Sequence, residues 1–106
     1  MSILDLSVVK EKETELILPS GKHLHLLRPN LRLVGYVNNY RNLVANIKNQ
    51  EELSELINEM SSFIINNNRE KYTLTPREEK LLDEMDRLQI INSYMEFIER
   101  IATNPN

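Results

Sequence analysis

His23 and His25 are the only histidines in the chain, and their spacing on a strand would turn both imidazoles to one face. Two imidazoles give two metal ligands where a site needs three or four, and only Glu13 and Glu15 lie near them in sequence. They read as half-exposed residues beside a turn. Ser20 stands two to three residues from the same histidines, but a nucleophilic hydroxyl needs a base held in position, which nearness in sequence does not supply. Carboxylates pair at Glu51/Glu52, Glu78/Glu79 and Asp83/Glu84/Asp86. The first two pairs fall where helices begin, and negative charge is favourable there without any chemistry. General acid–base work needs a carboxyl desolvated in a cleft. Gly21 and Gly35 are the only glycines, so no glycine-rich phosphate loop exists. With no cysteine there is no thiolate ligand, Cys nucleophile or disulfide. The expectation is a non-enzyme with no catalytic residue, no metal site, no cofactor and no small-molecule substrate.

The 106 residues predict a single domain spanning 1–106, with a β region over 1–28 and a helical region over 31–103. Hydrophobic residues at 41% can fill one small core, and 27% charged residues with two Gly and four Pro do not describe a disordered chain. Asp5 and the lack of a basic stretch ahead of an apolar run argue against a signal peptide. No apolar run approaches the ~20 residues of a membrane span. Net charge is −3, with seven Lys/Arg against four Asp/Glu in residues 1–50 and six against twelve in 51–106. A nucleic-acid binder shows one strongly basic surface, and this basic half is a weak version of it. A mixed solvated surface is the expected reading.

The N-terminal region reads as strands. Ile3 to Val9 is a short, partly alternating segment. Thr14–Leu18 and His23–Leu27 flank Pro19-Ser20-Gly21-Lys22, a hairpin turn signal. With Ser20 and Gly21 as a two-residue turn, Ile17 lies opposite Leu24 and Glu15 opposite Leu26, while Leu16 and Leu18 share the other face with His25 and His23. Pro29 closes this region. From Leu31 to about Lys48 the period becomes 3.6, and Leu33, Tyr36, Val37, Tyr40, Leu43, Val44 and Ile47 fall within about 120°. That places Tyr36 and Tyr40 in a core, not on a base-stacking platform. Gly35 on the far side predicts a close approach by some neighbour. Asn49 caps a second helix whose stripe is Leu53, Leu56, Ile57, Met60, Phe63 and Ile64, with Ile65 off it and Asn66-Asn67-Asn68 as a stop. Arg69 to Leu74 reads as a linker. Thr75-Pro76-Arg77-Glu78 is a capping box with Pro at the first helical position, and a short helix with Leu81, Leu82 and Met85 follows. Asp86 with Gln89 restarts the chain into a last helix from Arg87 to about Thr103, the alternative being a continuous helix through Asp83–Asp86. The fold class is therefore α+β: a small antiparallel sheet or hairpin, then three to four amphipathic helices.

The last helix has too much apolar surface for one contact. Leu88, Ile90, Ile91, Tyr94, Met95, Phe97, Ile98, Ile101 and Ala102 cover about 180°, where a helix on a single core needs nearer ~100°. The surplus predicts that it touches two things, and Tyr94, Phe97, Ile98 and Ile101 are the candidate partner-binding residues.

The run Ser20-Gly21-Lys22-His23-Leu24-His25-Leu26, then Arg28-Pro29, Thr75-Pro76-Arg77-Glu78-Glu79 and Ile91-x-x-Tyr94-Met95-x-Phe97-Ile98 resembles the tail assembly chaperones of long-tailed phages and prophages of Gram-positive bacteria. The likeness spans nearly the whole chain. It implies a small N-terminal sheet on a helical body and no catalytic residues. It also implies a protein that escorts the tape measure protein until the tail tube protein polymerises around it. Such a chaperone would self-associate as a homo-oligomer, act in the bacterial host cytoplasm and be absent from the mature virion, with no nucleic-acid or membrane partner. The alternative is a small regulatory or nucleic-acid-binding protein using Lys22, Arg28, Arg32, Arg41 and Lys48.

Overall fold

The computed structural model describes residues 13–103, with side chains through Ile101. The strand expected at Ile3–Val9 lies outside the described residues. A two-stranded antiparallel sheet, β1 (Glu13–Ile17) and β2 (His23–Leu27), leads into four helices. These are α1 (Leu31–Asn46), α2 (Gln50–Asn66), α3 (Pro76–Leu81) and α4 (Glu84–Thr103). The α+β class is as expected.

The hairpin register differs from expectation by one residue. Leu16 pairs with Leu24, Glu15 with His25 and Ile17 with His23. The loop is three residues long, not two. Leu18 N–H donates to the Lys22 carbonyl at 2.9 Å, Gly21 N–H donates to the Leu18 carbonyl at 2.8 Å, and Gly21 takes φ 91°, which L-residues rarely adopt. One residue of register exchanges faces. Leu16, Leu18, Leu24 and Leu26 now lie on one side. Of these, Leu18, Leu24 and Leu26 are buried, each contributing roughly 1.5–3 kcal/mol. Glu15, Ile17, His23 and His25 share the other face.

The Asn66-Asn67-Asn68 run does more than stop a helix. Leu27 N–H donates to the Asn67 carbonyl and Arg69 N–H to the His25 carbonyl, at 2.9 and 2.8 Å, so residues 67–69 line the outer edge of β2 with a bridge from Leu26 to Asn68. The buried Asn68 side chain donates to the Ile65 and Tyr72 carbonyls and accepts from Tyr72 N–H, all at 2.8 Å. What reads as a linker is therefore pinned to the sheet.

Caps set the helix starts. Asn30, Asn49 and Thr75 accept from Leu33, Glu52 and Glu78 N–H, and the Thr75–Glu78 box is reciprocal as expected. The last restart sits three residues earlier than expected. Asp83 Oδ1 accepts from Asp86 N–H at 2.7 Å and Asp86 Oδ2 accepts from Asp83 N–H at 3.2 Å, so Asp83 is the cap and Asp86 its reciprocal partner. Ile65, off the expected α2 stripe, is fully buried, because α2 is central, with α1 and α4 both packed on it. Nothing comes within 4 Å of a Cβ built at Gly35, so the expected close approach there is absent among the described residues.

Candidate partner-binding surface

The wide apolar face of α4 does touch two things, and both belong to this chain. One is α2. The other is the hairpin, where the Tyr94 hydroxyl donates to the Leu27 carbonyl at 2.7 Å. Burial pushes the Tyr94 phenol up to about 12. Phe97 is fully buried, and its ring centroid lies 5.8 Å from that of Tyr94. Two of the four candidate partner-binding residues, Tyr94 and Phe97, are thus core residues. The arc is wide because two elements of the same fold embrace the helix. Ile98 and Ile101 share the angular range of Tyr94 and Phe97 but are only half-buried against the core. They stand nearer the end of α4, where the cover runs out.

The same happens on α1. Val44 lies in the middle of the stripe that buries Leu33, Val37 and Tyr40, yet it is 40% exposed and Leu43 is 43% exposed. Ile47 beyond them is half-buried. Arg41 Nη2 of α1 lies 3.8 Å from Glu99 Oε1 of α4. Leu43 and Val44 of α1 are thus exposed, while Ile47 of the same stripe and Ile98 and Ile101 of α4 are half-buried. A periodicity argument finds the face of a helix. It does not find where along the axis the opposing element stops, and sequence reasoning missed Leu43 and Val44 for that reason. Apolar residues are also exposed elsewhere, at Ile17, Leu31, Val34, Leu81 and Met85.

Both histidines lie on the outer face of the hairpin, within a charged cluster. His23 Nδ1 is 3.3 Å and His25 Nε2 3.6 Å from Glu15 Oε2, and His25 Nδ1 is 2.6 Å from Glu70 Oε2. The His25 backbone N–H also donates to Glu70 at 2.9 Å. That bond, then the ring, pulls the Glu70 carboxyl down to about 2. The Arg69 guanidinium joins this cluster, at 2.7 Å from Glu13 and 3.1 Å from His25 Nδ1. Among the described residues no three His, Asp or Glu side chains are arranged so that they could hold a metal ion. Ser20 does not meet the histidines in a hydrogen bond; its hydroxyl donates to Glu78 at 3.3 Å.

The basic residues of the N-terminal half are scattered. Lys22 sits over the Tyr72 ring at 4.1 Å, Arg32 lies 5.8 Å from the Phe63 ring, and Arg41 faces Glu99. Tyr36 stacks on Phe63 at 4.3 Å and Tyr40 is buried, so both rings pack inward as expected. Arg87 is a polar core residue that the sequence reading passed over. It is 7% exposed, and its Nη1 donates to the Ser61 and Ser62 hydroxyls at 2.8 and 3.3 Å. Its angular position in the middle of the α4 arc was the available signal.

A groove of about 330 Å³ runs between β1 and α4. Thr14 through Pro19 line one side, and Asp86, Gln89, Ile90, Ser93 and Tyr94 line the other. No helix among the described residues is long and apolar enough to cross a membrane. Comparison with protein-family models, with curated proteins and with solved structures found no match to this chain.

Proposed function

We propose that this protein is a non-enzymatic phage tail assembly chaperone that binds the tape measure protein and assists tail tube assembly. The observation that carries the reading is apolar surface left uncovered on the helices: Leu43 and Val44 of α1 are exposed, and Ile98 and Ile101 of α4 are only half-buried. An escort must cover apolar helical surface on its client until the client is taken over, and an apolar helix face is met by another. The motif resemblance named above supplies the identity of the client. The client site moves from the Tyr94–Phe97 flank to residues that water can reach. The bacterial cytoplasm, where tails are assembled, is the place this reading assigns to the protein.

The test is co-expression with a tape measure protein, followed by capture on a tag carried by the chaperone. Co-purification of the two, with the client insoluble alone, is the expected result. A client that is equally soluble alone and does not co-purify overturns the reading.

A further inference from the structure

The charged cluster on the outer face of the hairpin holds more acid than base. Around His25 of β2 stand Glu13 and Glu15 of β1, His23 of β2, and Arg69 and Glu70 of the segment that follows α2. Three carboxylates thus meet one guanidinium. Among the described residues of the cluster, further positive charge can come only from protons on the imidazoles.

The contacts of the His25 ring say where such a proton sits. Nδ1 lies 2.6 Å from Glu70 Oε2, a distance at which two lone pairs repel, so Nδ1 carries a proton and donates to the carboxylate. The alternative, a bare Nδ1 accepting from Arg69 Nη2 at 3.1 Å, requires a protonated Glu70, and that carboxyl is held down at about 2. With Nδ1 occupied, a neutral ring would turn the Nε2 lone pair toward Glu15 Oε2, 3.6 Å away. A protonated ring meets a carboxylate on both sides. The His25 and Glu70 side chains are only 27% and 30% exposed, so water screens the pair in part and not in full.

Backbone bonds run through the same residues. Arg69 N–H donates to the His25 carbonyl at 2.8 Å, Leu27 N–H to the Asn67 carbonyl at 2.9 Å, and His25 N–H to Glu70 Oε1 at 2.9 Å. We infer that His25 is a proton-operated clasp: its imidazolium holds residues 67–70 against β2 by bridging Glu15 and Glu70, and its deprotonation loosens that segment. Histidine is the side chain whose charge ordinarily changes between about pH 5 and 8. Loss of the proton sets a lone pair against Glu15 and strips the ring's charge from the bond to Glu70. The clasp is closed on the acid side of that range and opens as pH rises, a direction opposite to the loss of Glu70 ionisation in acid. The inference is independent of the chaperone reading.

Amide protection factors of the full chain, measured by hydrogen exchange at about pH 5 and about pH 8 and corrected for intrinsic rates, test it. The His25, Leu27 and Arg69 amides are expected to lose protection at least about fivefold from the lower pH to the higher, the scale of one hydrogen bond to a charged group. The Met60 and Ile64 amides of α2 are expected to keep theirs. His25→Gln, with no proton to lose, should abolish the step, whereas His23→Gln should retain it. Should His25→Gln fail to fold, Glu15→Gln takes its place; it keeps the ring and its bond to Glu70, and is expected to shrink the step. No step in the wild type, a step that survives in His25→Gln or is unchanged in Glu15→Gln, or an equal loss at the α2 amides overturns the inference.

Discussion

Replacing Phe97 by alanine separates the core from the partner surface on α4. Phe97 is fully buried beside Tyr94, so truncation removes its transfer energy and leaves a cavity between α4 and its neighbours. Such changes cost about 3–5 kcal/mol, a large part of the 5–15 kcal/mol typical of a domain. With a urea slope of about 1.5 kcal/mol/M, the unfolding midpoint falls by about 2–3 M. Val44→Asp is the matched contrast. Val44 is 40% exposed, and an exposed substitution costs about 0.5 kcal/mol, or about 0.3 M in midpoint. The assay is equilibrium urea unfolding followed by far-UV circular dichroism, with client capture measured well below both midpoints. Phe97→Ala is expected to lower stability while the folded fraction still captures client, and Val44→Asp to keep stability while losing capture. A Phe97→Ala protein that unfolds at the wild-type urea concentration but fails to capture client refutes the partition.

Three further outcomes follow from local geometry. Gly21→Ala should destabilise by more than about 1 kcal/mol in a urea titration, because φ 91° is costly with a side chain, whereas Gly35→Ala, in helix with open space at its Cβ, should stabilise by up to about 1 kcal/mol. The Glu70 carboxyl, held at about 2 by the His25 backbone N–H and ring, is depressed on folding. Its contribution is therefore complete above the ordinary carboxylate pKa of 4.5 and is lost as pH falls from there toward 2. Glu70→Gln should flatten that part of the acid limb, and a carboxyl carbon titration should place the Glu70 midpoint near 2.

Helix positions were legible because their signals are local. The Thr75 capping box, the Asn49 cap and the 3.6-residue stripes need only neighbours in sequence, and α1 to α3 begin where those signals stand. Asp83 was misread in favour of Asp86 since each caps the other, and two carboxylates three residues apart look alike without the chain between them. The hairpin register was also available. Only a three-residue loop gathers Leu16, Leu18, Leu24 and Leu26 on one face, so the apolar pattern held the answer that the assumed two-residue turn concealed. The assignment of Tyr94 and Phe97 failed for a different reason. Arc width counts how many surfaces a helix meets, and not whether they belong to its own chain. Residues 67–69, pinned to β2 through backbone groups, carry almost no side-chain signal for that role.

On the proposed function, the exposed Leu43 and Val44 of α1 and the half-buried Ile98 and Ile101 of α4 receive a client helix. The most direct measurement is a methyl carbon–proton correlation spectrum of the labelled protein, titrated with a soluble helical segment of a tape measure protein. The account predicts saturable shifts at the Leu43, Val44, Ile98 and Ile101 methyl groups, with the Leu24 and Ile64 methyls of the core unmoved. Saturable shifts confined to the hairpin around Ile17, or no shift at those four residues at full client occupancy, would contradict it.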